Sequence, residues 1–146
     1  MSLLIASFAA RAAFAQSASL RLFELLKYTQ DPDFRSARRT VIREIEQLQG
    51  KEWWDDERLE NAASTVCAMY DILGRLLEFS GYNAVAKFFV CNWADSIIRT
   101  HRILAIFIEH RHKAGGHDYH GYRWLTEKAK KFDPQVGPAW PRPKSN

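Results

Sequence analysis

The distribution of proline is the feature of this sequence that most constrains its fold. The prolines are Pro32, Pro134, Pro138, Pro141 and Pro143, so residues 33–133 contain none. A proline-free stretch of this length suits long helices and is unusual for a turn-rich β-sandwich. With 146 residues, 47% of them apolar and 26% charged, the chain has the composition of one globular domain. Collagenous, disulfide-scaffold and low-complexity classes are therefore excluded.

Apolar residues recur every three or four positions along this stretch, which is the spacing of a helix with one buried face. Six segments carry the pattern: residues 19–29, 32–50, 55–80, 84–89, 92–112 and 122–132. Within the fifth, Ile103–Ile108 is apolar on every side and predicts a central buried helix. We predict an all-α fold, a single up-and-down helical bundle of five or six helices. The bundle domain covers residues 19–133, between an apolar helical extension at 1–18 and an extended, proline-rich tail at 134–146.

The first residues admit several interpretations. Leu3–Ala10 is apolar and Ala13–Ala15 resembles a signal-peptidase site, but no basic residue precedes the apolar run and Arg11 interrupts it. A membrane-spanning helix needs about 20 apolar residues, and Arg11 and Gln16 cut this run short. The segment favours a helix continuous with the next one. A helix lying on a membrane surface, a cleaved signal peptide and the end of an incomplete membrane span stay open.

Positive charge is concentrated in two places. The net charge is +4, with a balance of −2 over residues 1–81 and +6 over residues 82–146. On the second predicted helix, one face is expected to expose four arginines as a candidate basic partner surface: Arg35, Arg38, Arg39 and Arg43. A second basic region comprises Lys128, Lys130, Lys131, Arg142 and Lys144. Either region is suited to anionic headgroups of a membrane, and a merely solvated surface is the alternative.

Two constellations bear on catalysis or metal binding. Arg111 and His117 have the loose spacing of the arginine–histidine pair in the helical-bundle ribonucleases called HEPN, in which arginine would bind phosphate and histidine transfer a proton. Histidines at 110, 112, 117 and 120 lack the i, i+4 spacing that would direct two ligands at one ion, so we expect no metal. The sequence contains no glycine-rich phosphate loop, GxSxG or HExxH motif, and we expect no cofactor.

Several other residues are expected to be structural. Cys67 and Cys91 flank apolar positions and are predicted to be buried thiols in a reducing compartment, with an interhelical disulfide left open if the chain is exported. Trp53 and Trp54 are predicted to cover the core, with a stacking platform for a partner as the alternative. His101 lies on an apolar stripe and is expected to be a core residue with its hydrogen bonds satisfied.

Four segments together resemble a bacterial domain-of-unknown-function family of small helical proteins. They are residues 31–39, which open with Asp-Pro-Asp-Phe-Arg, the aromatic-Asp-x-x-Gly segment at 70–76, the helix from Trp93 to Arg111, and residues 119–129. Many members of that family carry one membrane helix immediately before the first of these segments. The resemblance implies a helical fold near a membrane. It implies no catalytic residue, because the family has no assigned activity.

These observations favour an interaction module with no evident enzymatic activity. The expected partner is an unidentified protein or an anionic membrane surface, and nothing in the sequence strongly indicates nucleic acid. A membrane-tethered regulatory domain and, less favoured, the HEPN-type ribonuclease are the alternatives, and homo-oligomerisation stays open. The expected location is the cytoplasm or the inner face of the membrane.

Overall fold

The computed structural model describes residues 17, 20, 23–25, 27–48 and 51–132, and throughout them the fold is all-α, as the sequence predicts. The described residues up to position 30 are helical and form the N-terminal helix. They are followed by α1 (Pro32–Arg43), a 3-10 turn (Ile45–Leu48), α2 (Glu57–Phe79), α3 (Ala84–Lys113) and α4 (His120–Lys130). Apart from Ser17, the extension predicted at 1–18 lies outside the described residues, as does the tail at 134–146.

The helix starts follow from local capping. The Asp31 carboxylate accepts the N–H of Phe34 at 2.9 Å, and Pro32 occupies the first helical position, as the sequence predicts. Asp56 accepts the N–H groups of Arg58 and Leu59 at the start of α2 in the same way. These side chains satisfy backbone donors that have no partner within their own helix.

The sequence-based prediction for α3 is wrong in two respects. The segments predicted at 84–89 and 92–112 form one helix of 30 residues, because Val90 and Cys91 between them contain neither the glycine nor the proline that would break it. The helix is also not buried on every side. Ile106 is 55% exposed, whereas Leu104 and Phe107 on the opposite face are buried. A helix segment with apolar residues on every side is therefore not necessarily covered by other helices on every side.

The helices alternate in direction, in agreement with an up-and-down bundle. Phe34 at the start of α1 packs edge-on against Tyr70, with ring centroids 5.2 Å apart, and Glu44 after the end of α1 pairs with Arg58 at the start of α2. These contacts make α1 antiparallel to α2. A short turn at residues 80–83 then reverses the chain into α3. Helix α4 packs against both α2 and α3.

Helices α2 and α4 meet at two glycines. A Cβ atom on Gly74 would lie 1.9 Å from the carbonyl oxygen of Gly121, and one on Gly121 would lie 2.1 Å from the carbonyl oxygen of Asp71. The two backbones are therefore in direct contact. Because the helices are this close, the Asp71 carboxylate accepts hydrogen bonds from the N–H of Gly121 at 2.7 Å and from that of Tyr122 at 3.3 Å. A residue of α2 thus caps α4, whose own N-cap residue, Tyr119, accepts no hydrogen bond through its side chain. The preceding N–H, that of His120, donates to the Asp118 carboxylate at 3.0 Å.

We expect Asp71→Ala to destabilise the protein by about 1–2 kcal/mol, since it removes a helix cap and leaves two backbone donors without their partner. Asp71→Asn keeps one oxygen acceptor, so we expect it to reduce the stability less than Asp71→Ala does. Urea denaturation followed by circular dichroism measures both. An Asp71→Ala variant as stable as the wild type would show that this cap does not hold α4 in place.

Two stacked tyrosines at the centre of the bundle bind α3. The rings of Tyr70 and Tyr122 lie 5.0 Å apart. The Tyr70 hydroxyl is 3.0 Å from the Ser96 hydroxyl, and that of Tyr122 is 2.7 Å from the Thr100 hydroxyl. Burial raises the pKa of both phenols, so they remain neutral hydrogen-bonding groups. These pairs give the largely apolar core specific polar contacts.

Candidate interaction surfaces

The arginines of α1 differ from every other arginine that the structure describes. Six arginines outside α1 form ion pairs with carboxylates: Arg58, Arg75, Arg99, Arg102, Arg111 and Arg123. The four on α1, which we call the arginine cluster, form no ion pair with any described residue; they are Arg35, Arg38, Arg39 and Arg43. The candidate surface from the sequence is therefore a set of unpaired charges on one helix.

One member of the cluster is not exposed as the sequence predicts. Arg35, Arg39 and Arg43 are exposed, but Arg38 is half-buried. Its guanidinium carbon lies 4.6 Å from the centre of the Trp93 ring and 5.5 Å from that of Phe34. One of its terminal nitrogens is buried without a hydrogen-bond partner. Helical spacing places Arg38 beside its neighbours but does not reveal the aromatic rings that α3 brings against it.

Side chains of the cluster surround a shallow depression. It has a volume of about 260 Å³ and is lined by the four arginines and Ile42. Because Arg38 is held by the two aromatic rings, one guanidinium in this depression has a defined position. The depression is thus a strongly positive surface in which one guanidinium, that of Arg38, is held in place.

A second surface, absent from the sequence-based predictions, lies where α2 turns into α3. There a groove of about 300 Å³ separates the N-terminal helix from the turn, and Leu76, Phe79, Tyr28 and Val85 are among its lining residues. Large apolar side chains are exposed among its lining residues (Tyr28, Leu76 and Phe79) and within four residues of lining residues on the same helices (Leu20, Phe23 and Phe88). We call these six residues the apolar end. Phe79 is 94% exposed, Phe88 64% and Phe23 63%.

Lysines border the apolar end. The Lys27 ammonium lies 5.4 Å from the centre of the Phe23 ring. Lys87 and Lys128 lie 5.8 Å and 5.2 Å from that of Tyr82, in the turn beside Phe79. Such contacts are favourable because the face of an aromatic ring is negative. This end of the bundle therefore combines exposed apolar rings with a cationic margin, which we call the lysine rim.

Only part of the predicted second basic region contributes to this rim. Lys128 belongs to it, whereas Lys130 forms an ion pair with Glu127. Lys131 is exposed. Arg142 and Lys144 lie outside the described residues.

The two residues of the predicted nuclease pair, Arg111 and His117, contact different side chains. The Arg111 guanidinium is 2.8 Å from a carboxylate oxygen of Glu60 and donates to the Ser64 hydroxyl at 3.3 Å, so it joins α3 to α2. His117 is exposed in the loop before α4, with its ring 6.3 Å from that of Tyr119. No hydrogen bond or ion pair joins the side chains of Arg111 and His117. The arrangement supports a structural role for Arg111.

The histidines at positions 110 and 120 have separate neighbours. The His110 ring stacks on Trp54 at 4.8 Å, and His120 lies 3.2 Å from a carboxylate oxygen of Glu78. Across the described ranges, no three histidine, cysteine, aspartate or glutamate side chains converge on a position for a metal ion. Trp53 stacks on Phe107 at 5.3 Å and is buried. Its position agrees with the prediction that the tryptophans cover the core.

Cys67 is buried as predicted, but His101 and Cys91 depart from the sequence-based predictions. The Nε2 atom of His101 is buried and has no hydrogen-bond partner, contrary to the prediction of a satisfied core histidine. Burial lowers the pKa of this imidazole and nearby Lys130 lowers it further, so His101 is neutral at pH 7. Cys67 is buried and burial raises the pKa of its thiol, whereas Cys91 is only half-buried. The Cys67 thiol is therefore not an activated nucleophile.

Comparison of the chain with family models, with curated proteins and with solved structures finds no match. Among the described residues, no helix is both long enough and apolar enough to cross a bilayer.

Proposed function

We propose that this protein is an interaction module that rests on a membrane surface through its apolar end. The observation that carries the proposal is the exposure of Phe79, Leu76 and Tyr28 in one groove, with Phe88, Phe23 and Leu20 also exposed on the helices that line it. Single exposed apolar residues are ordinary on protein surfaces, but a contiguous group indicates contact with a partner or a membrane. Full burial of one such side chain contributes about 1.5–3 kcal/mol.

The lysine rim favours a bilayer as the occupant of this surface. Lysines with apolar stems and aromatic side chains are the residues that proteins place at the boundary between headgroups and acyl chains. Lys27, Lys87 and Lys128 lie beside the aromatic rings of Phe23 and Tyr82 at this end of the bundle. Positive charge also suits the anionic cytoplasmic leaflet, where each lysine near the surface contributes about 1 kcal/mol.

Vesicle sedimentation tests the proposal. We expect the protein to sediment with vesicles of phosphatidylcholine and phosphatidylserine, and to bind pure phosphatidylcholine vesicles more weakly. The Phe79→Ser/Phe88→Ser variant is expected to bind at least about tenfold more weakly, because two rings no longer enter the bilayer. Both rings are exposed, so the variant should fold normally.

Ile106→Ser provides the matched control. Ile106 is also exposed and apolar, but it lies on α3 about 27 Å further along the helix than Phe88. We expect this control to bind vesicles as the wild type does. Equal sedimentation of the wild type and the double phenylalanine variant would contradict the proposal. So would a self-association that depends on Phe79 and Phe88 without any vesicle binding, since the apolar end would then join two copies of the chain.

A further inference from the structure

The arginine cluster is a set of like charges that form no ion pair with a carboxylate in the part of the chain that the structure describes. Arg35 and Arg39, and Arg39 and Arg43, are four residues apart on α1, and like charges at this spacing repel each other. Elsewhere in the described part of the chain, each arginine has a carboxylate within 3.7 Å. An anion bound to the cluster would supply the compensation that no described carboxylate provides.

The chemistry of the side chains narrows the class of anion. Every basic residue of α1 is an arginine, and none is a lysine. The planar guanidinium donates two parallel hydrogen bonds to a phosphate or carboxylate, whereas the lysine ammonium acts as a point charge. A depression of about 260 Å³ is smaller than the pockets that hold drug-sized organic ligands. It suits a compact ligand with several negative charges.

Arg38 gives the site a pre-organised element. Its contacts with Trp93 and Phe34 fix the guanidinium, which reduces the conformational entropy lost when an anion binds. Arg35, Arg39 and Arg43 remain exposed and can close around that ligand from the same helix face. The arrangement is one guanidinium held against aromatic rings, with three exposed guanidinium groups beside it.

We propose that the arginine cluster binds a compact polyphosphate anion, either free in solution or as the headgroup of a phosphorylated lipid. This site lies on α1 and uses no residue of the apolar end, so it does not depend on the membrane-surface proposal.

Calorimetric titration with inorganic pyrophosphate tests the free anion. We expect a dissociation constant on the order of 0.1 mM, weaker binding of orthophosphate, and a marked loss of affinity as salt increases. Arg39→Gln/Arg43→Gln should weaken pyrophosphate binding at least about tenfold. Both residues are exposed and unpaired, so the variant should retain the wild-type circular dichroism spectrum.

Lys51→Gln/Lys131→Gln is the matched control, because it also removes two exposed positive charges but lies outside the cluster. We expect it to bind pyrophosphate nearly as the wild type does.

A separate experiment tests the lipid headgroup. It uses phosphatidylcholine vesicles with and without phosphatidylinositol bisphosphate, in the Phe79→Ser/Phe88→Ser background. Binding that requires the phosphorylated lipid and is lost on Arg39→Gln/Arg43→Gln identifies a lipid source. The proposal is overturned if neither probe binds, or if the control weakens binding as much as the cluster variant.

Discussion

A single methyl group added at Gly74 or Gly121 is expected to destabilise the protein by about 3 kcal/mol or more. In each position the new Cβ would overlap a backbone carbonyl oxygen of the facing helix, at 1.9 Å and 2.1 Å. Unlike a flexible side chain, these oxygens can move only if α2 and α4 separate. Separation would also break the hydrogen bonds from Gly121 and Tyr122 to Asp71.

The higher helix propensity of alanine opposes this destabilisation but is smaller than it. Alanine is favoured over glycine within a helix by about 1 kcal/mol, so the steric overlap decides the sign. Thermal melts of Gly74→Ala and Gly121→Ala should show midpoints lowered by about 10 °C or more. Ala68→Val, on an exposed position of the same α2 helix, is the control and should change the midpoint little. A Gly74→Ala variant that melts at or above the wild-type midpoint would contradict the close helix contact.

The second large effect is expected from Leu73→Asp, which should prevent folding. Leu73 is completely buried, so the substitution places a carboxylate in the core without a partner, at a cost of several kcal/mol. Most small domains have a net stability of about 5–15 kcal/mol. We expect the circular dichroism spectrum of this variant to lose most of its helical signal or its cooperative melt.

Ile106→Asp is the variant to compare with Leu73→Asp, because it introduces the same charge at another apolar position. From the sequence, Ile106 belongs to a run that is apolar on every side, and its substitution is expected to be as damaging as that of Leu73. In the structure Ile106 is 55% exposed. We therefore expect Ile106→Asp to change the free energy of unfolding by no more than about 0.5 kcal/mol. A cooperative, near-wild-type melt for Leu73→Asp would contradict the assignment of the core. Unfolding by Ile106→Asp would show that this position is covered.

The candidate surfaces were predictable to very different degrees. The arginine cluster is visible in the sequence because helical spacing alone places Arg35, Arg39 and Arg43 on related faces of one helix. The half-burial of Arg38 is not visible, since it depends on Trp93, which is 55 residues away in the chain. The apolar end also escapes sequence analysis. A leucine or phenylalanine at helical spacing has the same pattern whether a neighbouring helix covers it or not, as Leu73 and Leu76 show.

The sequence by itself determined the helical class and most helix starts of this protein. Those properties depend on interactions within a few residues: the absence of proline from 33 to 133, the apolar repeat, and caps such as Asp31 and Asp56. Only the tertiary structure decided which apolar faces are covered, which arginines are paired, and that Gly74 and Gly121 are the point of closest approach. These properties depend on how the helices pack. Packing brings together residues far apart in the chain, and the pattern along a single helix contains no information about the helix that faces it.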